Sequence, residues 1–264
     1  MKRFAPLLLA ALSLPASAAT GKTAITWYGH AAFVVKTPAG TVIAIDPWLS
    51  NPLAKDKEAV QKLDKVDYVL VTHGHFDHVG DAVAIGKATG AKLVSNFELS
   101  NALAAAGYPK EQATMMTAGN IGGTFALGDD VTVTLVPAVH SSTFKKDEAS
   151  PTEPTGNPLG FVLHVKGGPT IYHTGDTDVT SDMKLVGERH KVDVMLACIG
   201  GHFTMDPDGA ALAASFVHPR AIVPMHYATF PLLKGTPAEL EKALARRGVK
   251  ARLVEMKVGE TREF

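Results

Sequence analysis

Three imidazoles and one carboxylate crowd into His73-Gly74-His75-Phe76-Asp77-His78. Histidine and aspartate at this density offer nitrogen and oxygen donors to a divalent transition metal. The cluster follows the apolar run Tyr68-Val69-Leu70-Val71, which reads as a buried strand. In an extended segment residues two apart point to the same side, so His73 and His75 can close on one ion. Asp77 and His78 come where the chain turns into a helical pattern from Val79 to Lys87, and can face a second ion. The competing reading is a solvated, histidine-rich turn.

Other strand ends decide between the two. Ile43-Ala44-Ile45 ends at Asp46, Val136-Pro137-Ala138-Val139 at His140, and Ile171-Tyr172-His173-Thr174-Gly175 leads to Asp176. Leu196-Ala197-Cys198-Ile199-Gly200-Gly201 leads to His202, and Ile222-Val223-Pro224-Met225 ends at His226. Ligands of folds with parallel strands gather at strand carboxyl ends, and scattered core histidines would not fall there so regularly. His30, after Gly29, can line the same mouth. Asp46 suits a partner that orients a ligand histidine, and Tyr227 beside His226 can contact an anionic or carbonyl group. His173 lies inside a strand and reads as core, as do Trp27 and Trp48.

The elements that must position these residues fall into two similar halves. Strands at Ala24–Tyr28, Ala32–Lys36 and Thr41–Ile45 form an antiparallel meander; a short helix is expected at Lys55–Leu63. Alternating units follow: the motif strand and helix, a strand at Lys92–Val94, and a helix from Asn96 to Ala106 capped by Asn96. The second half opens with hairpins at 124–136 and 161–173. Helices at Asp182–His190, Pro207–Val217 and Pro237–Arg247 then alternate with strands at Val192–Ile199, Ala221–Met225 and Ala251–Val254. Lys145–Pro158, rich in Pro, Ser, Thr and charge, reads as an exposed loop able to cover the site. Sheets packed face to face with helices outside satisfy this pattern.

Lys2 and Arg3, an apolar stretch from Ala5 to Leu14, and Ala16-Ser17-Ala18 have the form of a secretory signal peptide cleaved after Ala18. Residues 1–18 are therefore expected to be removed, leaving 19–264 as one domain in the periplasm or outside the cell, with no stable membrane insertion after cleavage. The apolar stretch is short of the roughly 20 residues that span a bilayer. The chain has 26 basic and 26 acidic residues; losing Lys2 and Arg3 tips the remainder slightly acidic. That balance provides no electrostatic footprint for nucleic acid. Cys198 is the only cysteine, which excludes an internal disulfide and suits a small buried hydrophobe.

Taken with Trp27-Tyr28-Gly29-His30, Ile45-Asp46-Pro47-Trp48, Asn96-Phe97-Glu98, Tyr172-His173-Thr174-Gly175-Asp176-Thr177, Gly201-His202-Phe203-Thr204-Met205 and Pro224-Met225-His226-Tyr227, the metal motif resembles the metallo-β-lactamase superfamily. The branch it is most similar to holds metal-dependent hydrolases allied to the L-ascorbate-6-phosphate lactonases. The resemblance spans nearly all of residues 19–264. It implies an α/β (α+β) fold: a four-layer αββα sandwich, two mixed sheets packed face to face with helices outside. It further implies that His73, His75 and His140 hold one ion, that Asp77, His78 and His226 hold the other, and that Asp176 bridges them. Two divalent ions are expected, zinc first, with manganese or iron as alternatives. Such a pair holds a hydroxide as nucleophile and polarises the group under attack. Asp77 is then a candidate to orient it or take its proton, and His202 to protonate the leaving group.

Asp176 stands where the best-known zinc β-lactamases carry cysteine, and His75 where diiron relatives carry glutamate, so both activities are disfavoured. The expected function is an exported dinuclear hydrolase acting on a small ester, lactone or phosphoester. The alternatives are a phosphodiesterase or phospholipase-like enzyme on lipid-derived substrates, and a non-catalytic metal-binding protein. The signal peptide departs from the family pattern and weighs against a cytoplasmic sugar phosphate. The spacing leaves substrate and oligomeric state open.

Overall fold

The structure, a computed structural model, describes residues 21–264; the expected signal peptide lies outside them. The first half supplies β1 (Ala24–Gly29), β2 (Ala32–Lys36), β3 (Val42–Ile45), β4 (Tyr68–Leu70), helices α1 (Phe76–Val79) and α2 (Ala82–Thr89), β5 (Lys92–Asn96), α3 (Phe97–Ala105) and β6 (Ala118–Gly119). The second begins with β7 (Thr124–Leu127), β8 (Val131–Pro137) and a small ribbon of β9 (Thr143–Phe144) with β10 (Glu153–Pro154). It continues through β11 (Leu159–Val165), β12 (Thr170–His173), α4 (Met183–His190), β13 (Val194–Cys198), α5 (Pro207–Val217), β14 (Ala221–Met225), α6 (Pro237–Arg246), β15 (Arg252–Leu253) and β16 (Glu260–Glu263).

Two seven-stranded sheets result, ordered β16-β1-β2-β3-β4-β5-β6 and β15-β14-β13-β12-β11-β8-β7. In each, an antiparallel meander passes into parallel strands, at β3–β4 in one and β12–β13 in the other. Alternation along the strands explains the layering. Ile43 and Ile45 face the inter-sheet core, while Val42 and Ala44 join the cluster formed with Leu99, Leu103 and Ile85 of the helices. Both faces are buried, which is why these strands read as continuous apolar runs.

Helix ends follow local chemistry. Asn96 accepts the Leu99 N–H at 2.7 Å, Asp206 accepts that of Gly209 at 2.8 Å, and Thr236 forms a capping box with Glu239. Each such cap stabilises its helix by about 1 kcal/mol. Two expectations need correction, and one strand was not anticipated. Lys55–Leu63 forms turns rather than a helix, because Asp56 caps the Glu58 N–H and binds Lys62, closing the segment locally. The expected helix beginning at Val79 is instead two, broken at Gly80 with φ +36°. The polar run Glu260–Glu263 is an edge strand antiparallel to β1, so the chain's last strand completes the first sheet.

β1, β3, β4, β8, β12, β13 and β14 all end at one rim, since strands two places apart in an antiparallel order run the same way. That rim carries the candidate chemistry. Among the described residues no helix is long and apolar enough to cross a membrane.

Candidate metal centre

His73, His75 and His140 converge. His73 Nε2 lies 2.9 Å from His75 Nδ1, and His140 Nε2 lies 3.3 Å from the same atom. On the other side, Asp176 Oδ2 is 3.3 Å from His78 Nε2, 2.9 Å from His226 Nε2 and 3.7 Å from His140 Nε2. One carboxylate oxygen therefore stands between the two groups of imidazoles. Asp77 Oδ2 approaches His226 Nε2 at 3.9 Å.

The donor set fits divalent ions. His73, His75 and His140 each place a ligand atom within 4.8 Å of the others, as do His30, Asp77, His78 and His226. His78 Nε2 and His226 Nε2, though close to Asp176 Oδ2, are buried without an aligned hydrogen bond, and Asp176 Oδ1 is likewise unpartnered. Buried polar atoms are rarely left unpartnered, and a shared cation would satisfy these. Burial pushes His73, His75 and His140 below the ordinary histidine range, keeping the neutral form that ligation needs.

Asp46 sets the tautomers of candidate ligands in both groups. Its Oδ2 accepts from His78 Nδ1 at 2.7 Å, leaving Nε2 of a neutral His78 as the free lone pair. Asp46 also accepts the Thr72 N–H and the Thr72 hydroxyl, each at 2.8 Å. With its proton given to Asp46, Thr72 Oγ1 can only accept from His73 Nδ1, at 3.0 Å. His73 Nε2 is thereby directed, unprotonated, at His75 and His140. The sequence marked Asp46 as an orienting partner; Thr72 carried no signal beyond its place next to His73.

His30 is fully buried, with Nε2 3.0 Å from Asp77 Oδ2 and Nδ1 2.8 Å from Thr229 Oγ1. Burial and the neighbouring His226 push its pKa down to about 4. Burial opposes ionisation of Asp77, but the His30 hydrogen bond and the His78 charge outweigh it and hold that carboxyl below its usual range. A neutral His30 facing an ionised Asp77 must carry its proton on Nε2, so Nδ1 accepts from the Thr229 hydroxyl.

Three residues of the cluster, and His202 outside it, carry left-handed backbone. His30, Asp46, His202 and His226 have φ of +52°, +44°, +55° and +57°. For side chains with a Cβ this conformation costs roughly 1–2 kcal/mol each, and such outliers cluster at functional sites. The His30 carbonyl accepts the His226 N–H at 2.9 Å and the Trp27 indole N–H at 3.0 Å, tying the two sheets together beneath the cluster. Gly74 fits where little else would: a Cβ there would lie 2.4 Å from Thr155 Oγ1 and 2.8 Å from the Thr143 carbonyl oxygen.

Two candidates stand apart. His202 is exposed, stacked edge-on against Phe203 at 4.4 Å, and borders a cavity of about 570 Å³ with Asp206, Lys234 and Arg246. Tyr227 stacks on Trp27 at 5.5 Å, and burial with the Glu255 charge pushes its hydroxyl up to about 12. Neither has a hydrogen bond to the seven candidate ligands among the described residues. His173 is core, binding the Ala31 carbonyl at 3.0 Å. Residues 145–154 are largely exposed, while Thr155 turns inward beneath Gly74, its hydroxyl 2.7 Å from that of Ser142.

Two mixed sheets face to face, with histidine and aspartate gathered on one rim, define a metallo-β-lactamase fold. The chain belongs to the β-lactamase superfamily, whose domain model, described as "Beta-lactamase superfamily domain", matches residues 24–226. It is a metal-dependent hydrolase of that fold. A "UPF0173 metal-dependent hydrolase" of Anaeromyxobacter dehalogenans is 66% identical over 228 residues, covering 86% of this chain and 82% of that protein. One from Thermodesulfovibrio yellowstonii is 48% identical, covering 99% and 98%. Among solved structures, the metallo hydrolase Igni18 of Ignicoccus hospitalis is 36% identical with a TM-score of 0.80, covering 92% of this chain and 99% of that one.

Proposed function

We propose that the protein is a dinuclear metal hydrolase acting on a small ester, lactone or phosphoester. His73, His75 and His140 would hold one ion, Asp77, His78 and His226 the other, and Asp176 would contact both. The observation carrying this reading is the position of Asp176 Oδ2, within 3.7 Å of imidazoles from both groups. Divalent ions bound there would supply a Lewis acid for the scissile group and acidify water near neutrality.

The chain's own residues supply the rest. Asp46 and Thr72 hold His78 and His73 in the ligating tautomer. His30 fixes the Asp77 carboxylate, which is ionised and placed to receive a proton from attacking water. Likeness to the lactonases in the metal motif and its flanks favours a carboxyl or phosphoryl ester over an amide. The amino-terminal signal pattern supports export, which N-terminal sequencing of secreted or periplasmic protein tests by finding Ala19 first.

Elemental analysis is the direct test of the centre. About two equivalents of metal per chain are expected, zinc foremost, falling to one or fewer in Asp176→Ala. Asp77→Ala should abolish turnover across an ester, lactone and phosphodiester panel with secondary structure retained. Unchanged turnover in Asp77→Ala would overturn its assignment. Wild-type protein that holds metal but is silent on the whole panel would favour a non-catalytic metal-binding role.

A further inference from the structure

Phe76 stands between His75 and Asp77 and is 69% exposed. It is one end of an aromatic wall. Its ring meets Trp48 edge-on at 5.6 Å and Phe230 at 6.4 Å, and Trp48 stacks on Phe230 at 6.0 Å. Trp48 and Phe230, both half-buried, in turn pack against His30 at 5.4 and 5.8 Å. His30 is the residue that binds Asp77 at 3.0 Å. An aromatic cluster thus runs from the exposed Phe76 to His30, the buried residue that is hydrogen-bonded to the carboxylate proposed to take the proton.

Two other exposed apolar side chains lie close in sequence to candidate ligands. Val139, 55% exposed, precedes His140, and Leu232, 50% exposed, follows His226 by six residues. Single exposed hydrophobics need no explanation, but a contiguous patch continuous with a site does. The His75–His140 side differs in character: Ser141 is exposed there, its hydroxyl 3.4 Å from His75 Nε2. One flank of the centre is thus aromatic, while the other is mixed, with Val139 and Ser141 both exposed beside His140.

We infer that the wall of Phe76, Trp48 and Phe230 is a subsite for an aliphatic chain, and that the substrate is an ester or lactone of an acyl chain longer than acetyl. This rests on the dinuclear reading above and narrows its substrate class. The reactive group sits between the two ligand sets, and the chain leaves along the Asp77 side. Trp48 is held in place from behind. Gly80 abuts it so closely that a Cβ would lie 2.6 Å from the Trp48 Cα.

The test is a titration of metal-loaded protein with alkyl hydroxamates, whose head binds metal without turnover: aceto-, hexano-, octano- and decanohydroxamate, each below its micellar concentration. Calorimetry should give affinity rising about twofold to fourfold for each added methylene, as partial to full burial of a methylene implies. Trp48 fluorescence should respond to the long chains and not to acetohydroxamate. Phe76→Ala should flatten the series, Phe76→Leu should restore most of the slope, and Leu185→Ala, an exposed leucine on α4, should leave it intact. Phe76 is exposed, so metal content is expected to survive its replacement and is measured in parallel. If acetohydroxamate binds and the series is flat in the wild type, or stays steep in Phe76→Ala, the chain subsite is refuted. If no hydroxamate binds at all, the metal-centre reading fails instead, and the subsite falls with it.

Discussion

Nδ1 of His78 lies 2.7 Å from Oδ2 of Asp46, and neither side chain is exposed. The Asp46 carboxylate accepts three hydrogen bonds, one from a candidate ligand and two from Thr72. Because Thr72 passes the constraint on to His73, a single carboxylate governs both halves of the centre.

Asp46→Asn is the informative substitution, since asparagine tolerates the left-handed backbone that φ +44° requires. Its amide is a close match in shape but cannot accept every bond the carboxylate accepts. Metal affinity should fall about 10- to 100-fold, as for other partners of ligating histidines. Thr72→Val frees only His73 and should cost about tenfold, with the loss confined to the ion proposed at His73, His75 and His140. Competitive chelation against a colorimetric indicator resolves both.

Metal loading should release protons at neutral pH. In the metal-free protein burial opposes a charge on His78, but the Asp176 and Asp46 carboxylates outweigh it and hold its pKa well above 6.5. Folded pKa above unfolded means that this charge stabilises the metal-free fold below pH 6.5, and the contribution is lost as pH rises through the folded value. Binding must displace that proton, so affinity should weaken as pH falls. Calorimetry at pH 7.5 in buffers of different ionisation heat should show net release, reduced in Asp46→Asn; zero release would contradict the His78 assignment.

Gly74→Ala should destabilise the protein by about 1–3 kcal/mol, the usual range for overpacking. The new Cβ meets both the Thr155 hydroxyl and the Thr143 carbonyl. Adding Thr155→Ala removes the first conflict and leaves the second, so denaturant titration should find only partial recovery. Full recovery would mean that the 143–144 strand yields freely.

Cys198 should be silent to thiol reagents in the native state. It is fully buried, and burial, with the Asp176 charge, pushes its pKa up to about 11. Ellman's reagent should register no thiol in folded protein and one per chain in guanidinium. Rapid native labelling would show that the rim above β13 opens readily.

Much of this protein is written in short-range pattern. Short apolar runs located the strands, Asn96 and Asp206 announced their helices, and the spacing from His73 to His78 named the chemistry before any sheet was assembled. Regular placement of Asp46, His140, Asp176 and His226 at strand ends pointed to one rim, because parallel strands bring their carboxyl ends together. Other features depended on stacking the sheets. Glu260–Glu263 has no apolar alternation to betray it and becomes a strand only because β1 offers an unpaired edge. Trp48 looked like ordinary packing until Phe76 and Phe230 stood beside it. His30 and Thr229 are 199 residues apart and join only across the interface between sheets. Local spacing encodes which residues share a face; which faces meet is decided by burial of two apolar surfaces against each other, and that surface-to-surface fit has no signature in any single stretch of chain.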